Sequence, residues 1–303
     1  MTQPIAYDEF SMFHENAEEF GLPYDGPPTV RRVSVEVEPG RSLSALVWGD
    51  GDPELVFLHG GAQNAHTWDT VAIALQRPLV CMDLPGHGHS DGGRVGSLDL
   101  QSNAEDVAVA TRALAPNARA VVGMSLGGMT TLALAKVAPE LVRRMVLVDV
   151  TPGVDAEKSS VIRAFIDGPE SFPDFDEILA RTIEFNPTRT ESSLRRGILH
   201  NALQREDGSW VWRYARFRAD DHSTDRGGFL DRIGDLWEVV SGLTMPMMLV
   251  RGMLPQSVVD DKDEAELVRR QPTARIEHVE GAGHSVQGDK PLELAALIAD
   301  FCL

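Results

Sequence analysis

The sequence predicts an α/β protein, with a mostly parallel central sheet flanked by helices and interrupted by an inserted helical cap. Three observations lead there. Apolar runs alternate with helix-forming stretches over much of the chain, the rhythm of a parallel sheet. Several of those runs, such as Leu55–Leu58 and Met145–Val148, are short and wholly apolar, as strands covered on both faces must be. The alternation then stops across residues 153–236, which are rich in Phe, Trp, Tyr and Arg.

In chain order, residues 1–29 form a polar extension with prolines at 4, 23, 27 and 28. Within it, Tyr7–Phe20 reads as a short amphipathic helix that sets Phe10, Phe13 and Phe20 against the body. Val30–Val37 alternates apolar and polar residues, the mark of a strand with one solvated face, and Pro39-Gly40 turns it into a second strand, Leu43–Trp48. The buried strand Leu55–Leu58 runs into His59-Gly60-Gly61-Ala62, where the glycine pair permits a close backbone approach and His59 reads as a structural side chain fixing the loop. A helix over His66–Leu75 and a strand over Leu79–Met82 lead to Asp83-Leu84-Pro85-Gly86-His87-Gly88-His89-Ser90. The Pro-Gly and Gly pairs mark tight turns, so His87 and His89 are read as satisfying backbone groups rather than holding a metal.

A helix over Gln101–Leu114 precedes the strand Ala118–Val122, a serine turn and the helix Met129–Ala138. The strand Met145–Val148 ends at Asp149. After the cap come a strand at Met247–Val250, a helix at Asp263–Arg270, a strand at Arg275–Val279 and a closing helix at Leu292–Phe301. The organisation expected is an extension (1–29), a core built from 30–152 and 237–303, and a cap (153–236).

The formal charge of −18 disfavours nucleic acid and anionic membranes as partners, because both would be repelled. Cys81 and Cys302 lack redox or metal-site spacing, and no cofactor or metal motif is present. Met1–Phe20 has neither the basic start nor the apolar run of a signal peptide, and no stretch is long enough to span a membrane. The expectations are a cytoplasmic protein and a small-molecule substrate, with a homodimer allowed.

The chemistry centres on Gly123-Met124-Ser125-Leu126-Gly127, a G-x-S-x-G pattern between a strand and a helix. So tight a turn predicts positive φ at Ser125, and it requires glycine at 123 and 127, where a Cβ would strike neighbouring backbone. The serine hydroxyl is exposed over a helix N-terminus, where the Leu126 N–H can face a developing oxyanion. The Gly61 N–H is the candidate second donor. Ser125, Gly61, Asp149 and His284 each follow a predicted strand end, so all four can converge beyond the carboxyl edge of one sheet.

With His59-Gly60-Gly61, Asp83 through Ser90, Gly123 through Gly128 and Gly281-Ala282-Gly283-His284 in this order, the chain resembles the α/β-hydrolase fold superfamily. The resemblance implies Ser125 as nucleophile and His284 as its base, because a serine hydroxyl does not ionise unaided near neutral pH. The acid departs from the usual pattern. The loop after Met247–Val250 reads Arg251-Gly252-Met253-Leu254-Pro255-Gln256-Ser257, with no carboxylate before Asp260 and Asp261. Some relatives take the acid from the preceding strand end. Asp149 is therefore favoured, with Asp260 and Asp261 as alternatives and a dyad also open.

A serine rather than a carboxylate nucleophile argues against dehalogenase and epoxide-hydrolase chemistry. It favours a carboxylic ester, lactone, thioester or C–C bond as the scissile group. Trp68, Met124, Phe165, Trp210 and Trp212 are the expected substrate contacts. Among Arg189, Arg195, Arg196, Arg213, Arg216 and Arg218, one can serve as a carboxylate clamp. The competing readings are a cofactor-free dioxygenase or lyase using a His–Asp pair, and a ligand-binding relative without turnover.

Overall fold

The computed structural model describes residues 5, 7–92, 99–214 and 233–303. Among these, eight strands form one sheet: β1 (Val30–Glu38), β2 (Arg41–Trp48), β3 (Leu55–Leu58), β4 (Leu79–Met82), β5 (Ala120–Met124), β6 (Met145–Val148), β10 (Met247–Gly252) and β11 (Arg275–Val279). Their order is β1-β2-β4-β3-β5-β6-β10-β11. The pairs β1–β2 and β2–β4 are antiparallel, and every pair from β4 onward is parallel. β3 to β6 are fully buried, as their unbroken apolar runs require.

The sheet separates two apolar layers. Leu43, Ala45 and Val47 of β2 face helices α3 (Leu100–Leu114) and α4 (Leu126–Val137). Leu46 and Trp48, one residue out of phase, face α2 (Asp69–Leu75) and the last helix, Pro291–Cys302. That period-two division is what lets one strand serve both layers.

Some elements differ from the expectation. The helix expected from His66 begins as a 3₁₀ turn, Ala65–Trp68, because the Asn64 side chain accepts the His66 N–H at 2.9 Å and α geometry starts only at Asp69. The N-terminal helix α1 is confined to Phe13–Phe20, since Asp8 Oδ1 takes the Phe10 N–H and holds the preceding stretch in turns. The segment between β6 and β10 carries helices α5 (Ser160–Ile166), α6 (Phe175–Phe185) and α7 (Glu191–Asn201). It also holds a three-stranded antiparallel sheet, β7 (Ser171–Phe172), β9 (Trp210–Trp212) and β8 (Ala202–Gln204), that the sequence reading did not foresee. Phe172, Phe175, Ile178, Ile198 and Trp210 give this segment its own apolar core. Phe217, Arg216 and Arg218 lie outside the described residues. No helix among the described residues is long and apolar enough to cross a membrane.

Candidate active site

β5 ends at Met124, and Ser125 follows at φ 51°, ψ −118°, with α4 starting at the next residue. The packing explains the glycines. A Cβ at Gly127 would lie 2.2 Å from the Leu58 carbonyl oxygen, and one at Gly123 would lie 2.4 Å from that of Gly127. β3 and α4 therefore approach closely enough to force the strained serine conformation. Gly60 completes the contact from the other side, since a Cβ there would sit 2.5 Å from Met124 Sδ.

The loop after β3 is held by two histidines. His59 Nδ1 donates to the Gly60 carbonyl at 2.7 Å, and its Nε2 accepts the Leu84 N–H at 2.9 Å. Those partners fix the neutral tautomer. Burial and the neighbouring His87 push its pKa down to about 3. His87 Nδ1 donates to the Pro85 carbonyl, and Nε2 accepts the Ala62 N–H at 3.2 Å. The Gly60 N–H is taken by Gln63 Oε1 at 3.0 Å. Of the amides in this loop, that of Gly61 is left without an acceptor among the described residues, as is the Leu126 N–H at the start of α4.

Asp149 ends β6 fully buried, at φ 46°. Its Oδ1 accepts the Gly252 N–H at 2.9 Å and the Ser257 hydroxyl at 2.6 Å, and its Oδ2 accepts the Val258 N–H at 3.0 Å. His284 Nδ1 lies 2.8 Å from the same Oδ2. Three donors that are not acids thus fix the carboxylate while one oxygen orients the imidazole. His284 Nε2 is buried and has no hydrogen-bond partner among the described residues. It shares a cavity of about 230 Å³ with Ser125, Gly60 and Gly61.

The alternative acids lie elsewhere. Asp260 caps the helix Asp261–Arg270 by accepting the Lys262 and Asp263 amides. Asp261 is 95% exposed and pairs with Arg251. Neither touches His284. His278 pairs at the surface with Glu264.

Met124, Phe165 and Trp212 line the cavity, together with Ile162 and Ile166 of α5 and Phe185 of α6. Two expected contacts are corrected. Trp68 is fully buried beneath α2, 5.0 Å from the Phe57 ring, and does not reach the cavity. Trp210 packs edge-on to Phe175 inside the core of the inserted segment. In both cases an apolar face buried in packing carries the same sequence signal as one lining a pocket. Of the arginines, Arg189 and Arg196 line the cavity, Arg195 lies over the Phe175 ring and Arg213 donates to the Ala202 carbonyl. Sequence reasoning missed Asn201, whose Nδ2 donates to the Ala62 carbonyl at 2.6 Å and ties α7 to the glycine loop.

A family profile for the alpha/beta hydrolase fold matches residues 53–291. The chain is similar to esterase Rv0045c of Mycobacterium tuberculosis, 45% identical over 300 residues that cover 96% of this chain and 94% of that protein. A solved structure of the M. tuberculosis esterase matches with a TM-score of 0.82 at 43% identity, covering 98% of this chain and 99% of that one. A pimeloyl-[acyl-carrier protein] methyl ester esterase of Yersinia pseudotuberculosis is 29% identical over 271 residues, covering 86% of this chain and 98% of that protein. The structure of E-2-(acetamidomethylene)succinate hydrolase shares the fold, with a TM-score of 0.76 at 24% identity over 90% of this chain and 99% of that one.

Proposed function

This chain belongs to the α/β-hydrolase fold family, and on that premise we propose that it hydrolyses small, largely apolar carboxylic esters through Ser125, His284 and Asp149. One observation carries the reading. A partly buried imidazole has one nitrogen on a buried carboxylate and the other, itself buried, without a partner among the described residues, and it faces the cavity that holds a strained serine. Two named esterases among its relatives support the reaction class.

In this mechanism His284 Nε2 takes the Ser125 hydroxyl proton as Oγ attacks the ester carbonyl carbon. The carbonyl oxygen becomes an oxyanion and receives the N–H groups of Gly61 and Leu126. Collapse breaks the acyl–oxygen bond, and the leaving alkoxide takes the proton from His284. A water then attacks the acyl-serine with the same imidazole as base, releasing the carboxylic acid and restoring Ser125. Asp149 keeps the Nδ1 proton in place and stabilises the imidazolium at each step. The apolar lining from α5, α6 and β9 suits a short hydrocarbon limb.

The test is reaction with a small fluorophosphonate, read by intact mass, beside turnover of p-nitrophenyl butyrate. One phosphonyl adduct is expected on the wild type and none on Ser125→Ala, whose turnover falls at least about 10³-fold. Turnover surviving in Ser125→Ala would replace the acyl-enzyme by chemistry at the His284–Asp149 pair alone. Labelling without turnover of any ester would point to a binding protein.

A further inference from the structure

The N-terminal segment is bound to both halves of the site. Adjacent residues divide between them: Phe13 packs at 5.0 Å on Trp48 in the core, and Met12 enters the apolar cluster of the inserted segment. Its polar links divide the same way. Glu9 pairs with Arg32 and His66 of the core, and Asn16 Nδ2 donates to Thr70 Oγ1 at 2.9 Å. Toward the inserted segment, the Ile5 N–H reaches Gln204 Oε1 at 3.0 Å and the Tyr7 hydroxyl meets His200 Nδ1 at 2.9 Å. Glu19 pairs with the buried Arg196 of α7 and accepts the Thr190 hydroxyl. A buried guanidinium needs such a carboxylate, so α1 is a fixed part of the fold rather than a loose arm.

The last residue of α1 is Phe20, and Gly21 stops the helix directly after it in the left-handed conformation, φ 65°. Phe20 and Asn16, one turn apart on the helix, both line the cavity that holds Ser125 and His284. The hydrolase body supplies the nucleophile and its base, and the inserted segment supplies the apolar cover. α1 supplies a third wall.

We propose that α1 is a specificity element of the substrate site, in which Phe20 and Asn16 set how long an ester limb the cavity admits. The proposal rests on the ester-hydrolase reading, because the limb it measures is that of the bound ester.

The experiment compares kcat/KM for p-nitrophenyl acetate, butyrate, hexanoate and octanoate in wild type, Phe20→Ala, Phe20→Trp and Asn16→Ala. Opening the wall should raise the octanoate-to-acetate ratio in Phe20→Ala by about tenfold or more, the scale of hydrophobic pocket discrimination. Phe20→Trp should lower the ratio, and Asn16→Ala should raise it to a smaller extent. Phe20→Leu replaces Phe20→Ala if the latter does not fold. Fluorophosphonate labelling of Ser125 is run on every variant and reads the activated serine independently of ester-limb length. Labelled, folded variants whose ratios all stay within about twofold of wild type would overturn the proposal. Loss of labelling in the wild type would instead overturn the hydrolase reading on which it rests.

Discussion

Replacing Asp149 by asparagine isolates the role assigned to that carboxylate with little steric change. Asparagine tolerates the positive φ of 46° better than most residues, so the backbone at the end of β6 should hold. The hydrogen bonds decide the rest. Asp149 accepts from four groups, the Gly252 and Val258 amides, the Ser257 hydroxyl and His284 Nδ1. An amide has one acceptor oxygen. If that oxygen keeps Gly252 and Ser257, the amide nitrogen faces the Val258 N–H and His284 Nδ1. It then donates to Nδ1, which moves the imidazole proton to Nε2 and leaves no base for Ser125. One buried donor–donor contact remains in either orientation and costs about 1–3 kcal/mol of stability. The chemical loss is larger. Wrong tautomer and lost imidazolium stabilisation together should lower kcat by about 10³–10⁴, or about 4–5.5 kcal/mol in activation free energy. The assay is p-nitrophenyl butyrate turnover with the fluorophosphonate labelling rate, beside a melting curve. Asp260→Asn and Asp261→Asn, whose carboxylates lie away from His284, should stay within about twofold. A folded Asp149→Asn enzyme within tenfold of wild type would refute the assignment.

Three further outcomes follow from the same structure. Gly127→Ala should fail to accumulate as folded protein or lose about 3 kcal/mol or more in denaturant unfolding, because its Cβ meets Leu58 backbone at 2.2 Å. Trp68→Ala should lose about 3–5 kcal/mol of stability and leave the ester chain-length profile unchanged, whereas Trp212→Ala should alter that profile, since only Trp212 lines the cavity. Burial opposes a charge on His66, but the carboxylates of Asp69 and Glu9, one on each ring nitrogen, outweigh it and raise its pKa to about 9. A raised pKa means that the stabilisation is complete below about pH 6.5 and is lost as pH rises through 9. The difference in melting temperature between wild type and His66→Gln should therefore shrink from pH 6.5 to pH 9.5, and a constant difference would exclude a charged His66.

The elements that build the candidate site around Ser125 were legible because each is enforced locally. Gly123 and Gly127 bracket Ser125 for steric reasons that any reader of the chain can anticipate, and Ser125 does adopt the positive φ such a turn demands. His59 and His87 were legible as structural side chains, since turns crowded with glycine leave backbone amides in need of acceptors. The position of Asp149 beside His284 was harder to read, because it depends on β6 and β10 being neighbours in the sheet. Trp68 and Trp210 were misassigned because amphipathicity reports a buried face without saying what buries it. The strands β7, β8 and β9 span only two or three residues each, too short for periodicity to register. The packing of α1 on the body was legible in Phe13, but its link to the inserted segment was hidden for another reason: Glu19 and Arg196 are 177 positions apart, and nothing local in either stretch names the other.

The left-handed twist at Ser125 has a bearing on any attempt to harden this protein. A glycine there would adopt φ 51°, ψ −118° freely, and relief of the torsional penalty should exceed the extra chain entropy by about 1 kcal/mol. Selection for heat resistance alone would therefore drift toward a Ser125→Gly scaffold that lacks the proposed nucleophile. Screens for robust variants need to keep a turnover readout alongside the melting curve.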